Sequence, residues 1–183
     1  MATTRIAVIV GSLRQDSWNR KMADALAKLA PADVELVQLE IGDLPLFNQD
    51  HEKDPADPVK RLKSEIAAAH GVIFVTAEYN RSIPGVLKNA IDHGSRPHGQ
   101  NAWQRKPAGV IGVSPGAMGS ALAQQHLRNV LAAVDMPTLA QPEAFIHAKD
   151  GVIDASGELG EATAKFVKGW LDAYLAFARK IAG

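Results

Sequence analysis

The chain contains no cysteine. That absence removes disulfides, thiolate metal sites, iron–sulfur clusters and a cysteine nucleophile together. It also has no excess charge of either sign: 20 Lys and Arg balance 20 Asp and Glu, for a formal net charge of zero. A nucleic-acid-binding domain carries a basic excess or patch, so that class is not expected. No apolar run approaches the roughly 20 residues that span a bilayer, and no basic stretch followed by a long apolar core stands at the N-terminus. Membrane insertion is therefore not expected, and a cytoplasmic location is. Hydrophobic residues make up 46% of the chain, many of them alanine. That profile suits an Ala-rich helical shell around a Val/Ile/Leu sheet, not a disordered or fibrous chain. A length of 183 residues predicts one domain, residues 1–183, that buries about 70% of the open chain's surface without a staple.

Residues 5–10 read RIAVIV and stop at Gly11. Such a short β-branched run predicts a strand buried on both faces, as in a parallel sheet. From Ser17 the pattern turns helical, with Met22, Leu26 and Leu29 three and four apart and Pro31 as the stop. Residues 34–39 (VELVQL) alternate, as a strand with one better-covered face does. Residues 42–58, with Pro45, Pro55 and Pro58, are loop-like, and a connection this long is usually functional or wraps a surface. Residues 59–69 predict a helix with Val59, Leu62, Ile66 and Ala69 on one face, and Gly71 opens a second buried strand at 72–76. Pro84 fits the first turn of a helix reaching His93, residues 101–107 are loop, and 108–114 form a third buried strand. Residues 119–134 predict another helix and 136–139 a short fifth strand. Residues 162–181 predict a terminal helix with Phe166, Leu171, Leu175 and Ala178 facing inward.

This alternation predicts an α/β fold: a doubly wound five-stranded parallel sheet with helices on both faces. Ligands bind such sheets outside the carboxyl ends of the strands, where strand order reverses. The loops after Val10, Thr76 and Ser114 are therefore the ones to read. In the first, Ser12, Arg14, Ser17 and Asn19 bring donor-bearing side chains to a helix N-terminus, where free N–H groups and the dipole attract an anion. The plainer alternative is that Ser17 caps the helix and Arg14 is a solvated surface residue. The loop is neither a P-loop nor a dinucleotide fingerprint, since no further glycine follows Gly11 at the required spacing, so Glu40 is a poor candidate for a ribose-binding acid. In the second, Ala77, Glu78, Tyr79 and Asn80 are suited to setting backbone N–H groups against a planar heterocycle; the alternative is a turn leading to Pro84. In the third, Ser114 and Gly116 lie in a Gly-rich turn that lets backbone approach a flat ligand, or simply enters the next helix.

Taken together, GSLRxxSxN, EYN…SIPGxLKNAID and SxGxxG resemble the NADPH-dependent FMN reductase family, within it the flavodoxin-like bacterial quinone and chromate reductases. The resemblance runs from Ile6 to the terminal helix and implies a flavodoxin-like fold. It implies that Ser12, Arg14, Ser17 and Asn19 hold the FMN phosphate and nearby ribityl chain. It implies that Ala77, Glu78, Tyr79 and Asn80 line the isoalloxazine, mostly through backbone, and that Ser114 and Gly116 close its other side. Ala77 stands where the family motif usually has proline, and His93 where relatives often have an aromatic residue. The implied activity is ping-pong hydride transfer from NADPH or NADH to quinones or similar acceptors, chromate, azo and nitro compounds among them. A homodimer or homotetramer is implied, with residues 84–97 and 124–135 as candidates for the boundary; Arg128 and Glu143 either form ion pairs across it or are ordinary surface charges.

The residues agree with catalysis borne by a cofactor, because no acid–base cluster stands out and the six histidines lack metal-site spacing. Two readings of other classes remain: a flavodoxin-like electron carrier, which is usually strongly acidic, and a flavin-free binding module on the same fold.

Overall fold

The sheet follows from where the β-branched residues fall. Strands Thr4–Val10 (β1), Val34–Gln38 (β2), Gly71–Val75 (β3), Ala108–Ser114 (β4) and Ala144–His147 (β5) run parallel in the order β2-β1-β3-β4-β5. The computed structural model describes residues 3–149 and 151–182. Helices Trp18–Leu29 (α1), Asp57–Ala68 (α2), Gly85–Ser95 (α3), Ala121–Ala133 (α4) and Glu161–Ala182 (α5) connect and cover the strands. The pleat sorts side chains to two cores. Ile6, Val8 and Val10 of β1 join Ile73, Val75, Ile111 and Val113 beneath α1 and α5. Ala7 and Ile9 join Val72, Phe74 and Val110 beneath α2, α3 and α4. A strand covered on both faces has no polar side to show, so these runs read as continuous apolar stretches.

The terminal helix presses its aromatic side chains onto glycine. Trp170 and Tyr174 stack with ring centroids 6.0 Å apart and planes 9° off parallel. A β carbon at Gly71 would lie 2.5 Å from the Tyr174 hydroxyl, and one at Gly109 would lie 2.7 Å from its ring. The hydroxyl donates to the Pro107 carbonyl at 3.2 Å, and burial pushes its pKa up. The inward stripe of α5 is Val167, Trp170, Leu171, Tyr174, Leu175 and Ala178. Phe166 does not belong to it: it lies one position off the stripe and is 44% exposed, which corrects the expectation that it faces inward.

The edge strand also departs from the sequence expectation. Residues 136–139 are not a strand. Thr138 forms one isolated parallel bridge to Ala108, held by Ala108 N–H donating to the Pro137 carbonyl and Leu139 N–H to the Ala108 carbonyl. Pro137 and Pro142 have no N–H for a ladder, and sustained pairing resumes only where Ala144 faces Ile111. Trp103 and Trp170 are packing residues, 0% and 1% exposed, the former donating its indole N–H to the Ile91 carbonyl at 2.9 Å.

Candidate functional site

Strand order reverses between β1 and β3, because β1 lies between β2 and β3. The loop after β1 leaves that point with Gly11 N–H still bonded to the Val75 carbonyl at 2.9 Å. Gly11 is small of necessity here: a β carbon would meet Leu87 of α3 at 3.1 Å. Ser12 and Ser17 are buried, 3% and 2% exposed, while Arg14 is exposed and makes no ion pair among the described residues. Ser17 is the N-cap of α1, its hydroxyl accepting from Arg20 N–H at 3.4 Å. The first turn of α1 carries no acidic residue, so the positive end of its dipole is not neutralised from within. Asp16 at the end of the loop pairs with Lys21, whose ammonium holds the carboxyl below the ordinary aspartate range.

Asn19 does something the sequence did not announce. Its Nδ2 donates to the Val113 carbonyl at 2.9 Å and its Oδ1 accepts the Val113 N–H at 2.9 Å. The amide thereby acts as a strand partner for the end of β4, and fastens α1 to the base of the third loop.

The second loop is a tight two-residue hairpin. Tyr79 and Ser82 exchange backbone bonds of 3.0 Å each way, and Asn80 and Arg81 between them have φ of 50° and 67°. Two successive positive φ values define a type I′ turn, a conformation asparagine tolerates. Ala77 is buried, and Tyr79 and Asn80 are exposed at the tip. The Glu78 carboxylate bonds to the backbone at the start of α4, accepting from Leu122 N–H at 3.1 Å and Ala123 N–H at 3.2 Å.

In the third loop the Ser114 hydroxyl accepts from Gly116 N–H at 3.2 Å. A β carbon on Gly116 would meet nothing nearer than that hydroxyl, at 3.5 Å, so this turn keeps an open face. Gly119 is different. Its φ of 55° and the Ile146 nitrogen 2.8 Å from a built β carbon both require glycine. Each of the three loops also exposes one large apolar side chain, Leu13 at 52%, Tyr79 at 49% and Met118 at 52%. An anion-attracting helix start and three exposed apolar groups at one sheet edge suit a ligand with a charged tail and a flat ring.

Comparison with known proteins decides among such ligands. Residues 4–151 match the family described as NADPH-dependent FMN reductase. The chain belongs to that family. It is accordingly an oxidoreductase that uses FMN and a reduced nicotinamide nucleotide. The reductase is 48% identical over 176 residues to a 2-hydroxy-1,4-benzoquinone reductase of a Burkholderia species, covering 96% of each chain. It is 47% identical over 175 residues to a quinone reductase of Pseudomonas putida, covering 95% of this chain and 94% of the other. Its fold is similar to that of FerB, a flavoenzyme NAD(P)H:(acceptor) oxidoreductase from Paracoccus denitrificans, with a TM-score of 0.92, 46% identity and coverage of 97% and 98%.

The residues present fit FMN. The α1 start with Ser12, Ser17 and the unpaired Arg14 has the donors for a dianionic phosphate, and the open Gly116 turn leaves room for a ring. Glu40, by contrast, accepts from Gly42 N–H at 2.7 Å and serves its own turn. The histidines are dispersed. His70 accepts from Arg5 N–H, His93 bonds the Pro45 carbonyl, His126 bonds Ser82, and no metal-binding group of His, Asp or Glu forms among the described residues. The reductase also has a cavity of about 860 Å³ that shares no residue with the three loops. It lies between the segment around Leu46 and Phe47, Lys63 of α2, and His93 and Arg96 at the end of α3.

Three features of this region escaped sequence reasoning: the Asn19–Val113 pairing, the Glu78 clamp and the Ser82–His126 bond. Each joins groups at least 44 residues apart, and no local pattern carries such a pairing.

Proposed function

We propose that the chain is an NAD(P)H:quinone oxidoreductase, with Ser12, Arg14, Ser17 and Asn19 at the FMN phosphate and ribityl chain, Ala77, Glu78, Tyr79 and Asn80 along the ring, and Ser114 and Gly116 on its other side. The observation that carries the reading is the acid-free start of α1 beside two buried serines and an unpaired arginine. Bound FMN supplies a ring that takes hydride from a reduced nicotinamide and returns two electrons to an acceptor. The protein's part is binding and electrostatics. Arg14 and the α1 N–H groups hold the phosphate. Asn19, with one amide hydrogen beyond its bonds to Val113, reaches the chain next to it. The Asn80 and Arg81 N–H groups take no part in the hairpin's own backbone pairing, and serve as donors that stabilise negative charge at the ring edge. One opening serves both substrates in turn: the oxidised nucleotide leaves before the quinone enters.

The relatives named as quinone reductases support a quinone as acceptor. Anaerobic NADH or NADPH should bleach the yellow protein, and a benzoquinone should restore the colour. Initial rates at several quinone concentrations should give parallel double-reciprocal lines. Intersecting lines contradict the shared opening. A protein that reduces no quinone without a second reductase is an electron carrier instead, which the zero net charge argues against.

We also infer a homodimer or homotetramer in the cytoplasm, with residues 84–97 and 124–135 at the boundary. Leu46 is 86% exposed at the large cavity, and His93, Arg96 and Pro97 of the first segment line the same cavity. Arg128 and Glu143 already face each other within one chain, 3.8 Å apart, with Arg128 also donating to the Leu139 carbonyl at 2.7 Å. Among the described residues, Arg128 Nε and Nη2 have no hydrogen-bond partner, which leaves them able to pair across the boundary. Among the described residues no helix is long and apolar enough to cross a membrane.

A further inference from the structure

Helix α4 begins without a cap of its own. Ser120 has a left-handed φ of 70°, makes no side-chain bond to the first turn, and no acidic residue lies in that turn. The Ser120 hydroxyl instead accepts from Gln124 Nε2 at 3.0 Å. The missing acceptor comes from another loop: Glu78 Oε2 takes the Leu122 and Ala123 N–H groups at 3.1 and 3.2 Å. The Glu78 side chain is only 10% exposed, and Arg81 Nη1 lies 3.5 Å from its other oxygen. A carboxylate bonded to two N–H groups at a helix start gains both from charge-assisted bonds and from the helix dipole. A second tie runs parallel to it, Ser82 Oγ to His126 Nδ1 at 3.0 Å.

The clamp joins two parts of the site. Glu78 belongs to the hairpin loop after β3, and the start of α4 is carried by the Gly-rich loop after β4. Gly119 and Ser120 at that junction cannot drift, because Gly119 abuts the Ile146 backbone and Ser120 is fully buried.

We propose that Glu78 is a positioning residue for the flavin ring: its carboxylate, fixed to the Leu122 and Ala123 N–H groups, sets the spacing between the two loops that flank the ring. This rests on the FMN reading above. The carboxylate itself stays on α4, and the ring meets the backbone that the carboxylate holds.

Riboflavin has the ring of FMN without the phosphate, so it separates a ring effect from a tail effect. The FMN-free full-length protein, as parent, Glu78→Ala, Glu78→Gln and Arg14→Ala, is titrated with each flavin by fluorescence quenching. Amide hydrogen exchange at Leu122 and Ala123 is measured on the same samples. Glu78→Ala should weaken FMN and riboflavin by the same factor, about tenfold, and speed exchange at both amides. Glu78→Gln, which keeps an uncharged acceptor, should recover part of both effects, and it remains the readable variant if Glu78→Ala does not fold. Arg14→Ala should weaken FMN alone. Unchanged riboflavin binding in Glu78→Ala with a lowered melting temperature means a merely structural cap and overturns the proposal. So does a loss confined to FMN, or unaltered amide exchange. If the parent protein binds neither flavin, the FMN reading fails first and takes this proposal with it.

Discussion

Ser17 and Asn19 occupy the same turn and are almost equally buried, yet their polar groups are spent differently. Ser17 caps its own helix by accepting from Arg20 N–H, whereas Asn19 makes two bonds of 2.9 Å with Val113. Asn19→Ala removes both bonds and leaves a buried N–H and C=O of β4 without partners. It should destabilise the fold by about 2–3 kcal/mol in urea unfolding. A loss under about 0.5 kcal/mol, the range of an ordinary surface change, contradicts the anchor. Arg14→Ala removes an exposed side chain that makes no ion pair among the described residues, so stability should not change, while FMN binding should weaken roughly tenfold. The cluster was legible in the sequence because four polar residues followed a buried strand. Its division of labour was not, because the partner of Asn19 lies 94 residues away.

Among the elements, β1, β3 and β4 were legible because burial on both faces leaves an unbroken apolar run. β5 was not. It has four residues, Phe145 on it is 41% exposed, and the prolines before it interrupt the ladder. In α5 the helix was legible from its period, but Phe166 looked like core only because it is large and apolar. Phe166→Ala should change stability by no more than about 0.5 kcal/mol. Leu171→Ala, at a fully buried position, should cost about 2–5 kcal/mol. Equal costs contradict the stripe. The segment after β2 is tied to α2 by Arg61, which donates to both Asp43 oxygens at 2.7 and 3.0 Å and to the Glu40 carbonyl at 2.7 Å. The guanidinium holds the Asp43 carboxyl below its ordinary value of 3.8. Its stabilisation is therefore complete above that value and lost as pH falls through the lower, folded one. Both side chains are about two-fifths exposed, so Asp43→Asn should cost less than about 1 kcal/mol at neutral pH. That cost should vanish in acid, and a difference that persists at low pH contradicts the ion pair.

At the scale of the whole molecule, three loops from separate strands form one edge because the strands all run parallel, and the reversal of strand order beside β1 opens a crevice there. They are also held to one another. Leu87 of α3 packs on Gly11, Asn19 fastens α1 to β4, and Glu78 and Ser82 fasten the hairpin to α4. Such cross-bracing fixes donors in advance of binding, which is the protein's contribution when a cofactor carries the chemistry. The large cavity and the exposed Leu46 lie elsewhere, next to His93, Arg96 and Pro97 of the 84–97 segment expected to meet a second copy. Light scattering coupled to size-exclusion chromatography should give a mass of two or four chains, and a monomer at micromolar concentration contradicts that interface. The central claim, that the loop after β1 grips the phosphate of FMN, is tested most directly by a crystal structure of the protein with FMN. The account predicts the phosphate within hydrogen-bonding distance of Ser12, Arg14 and Ser17, and the ring between the Tyr79 hairpin and Gly116. A phosphate bound anywhere else contradicts it.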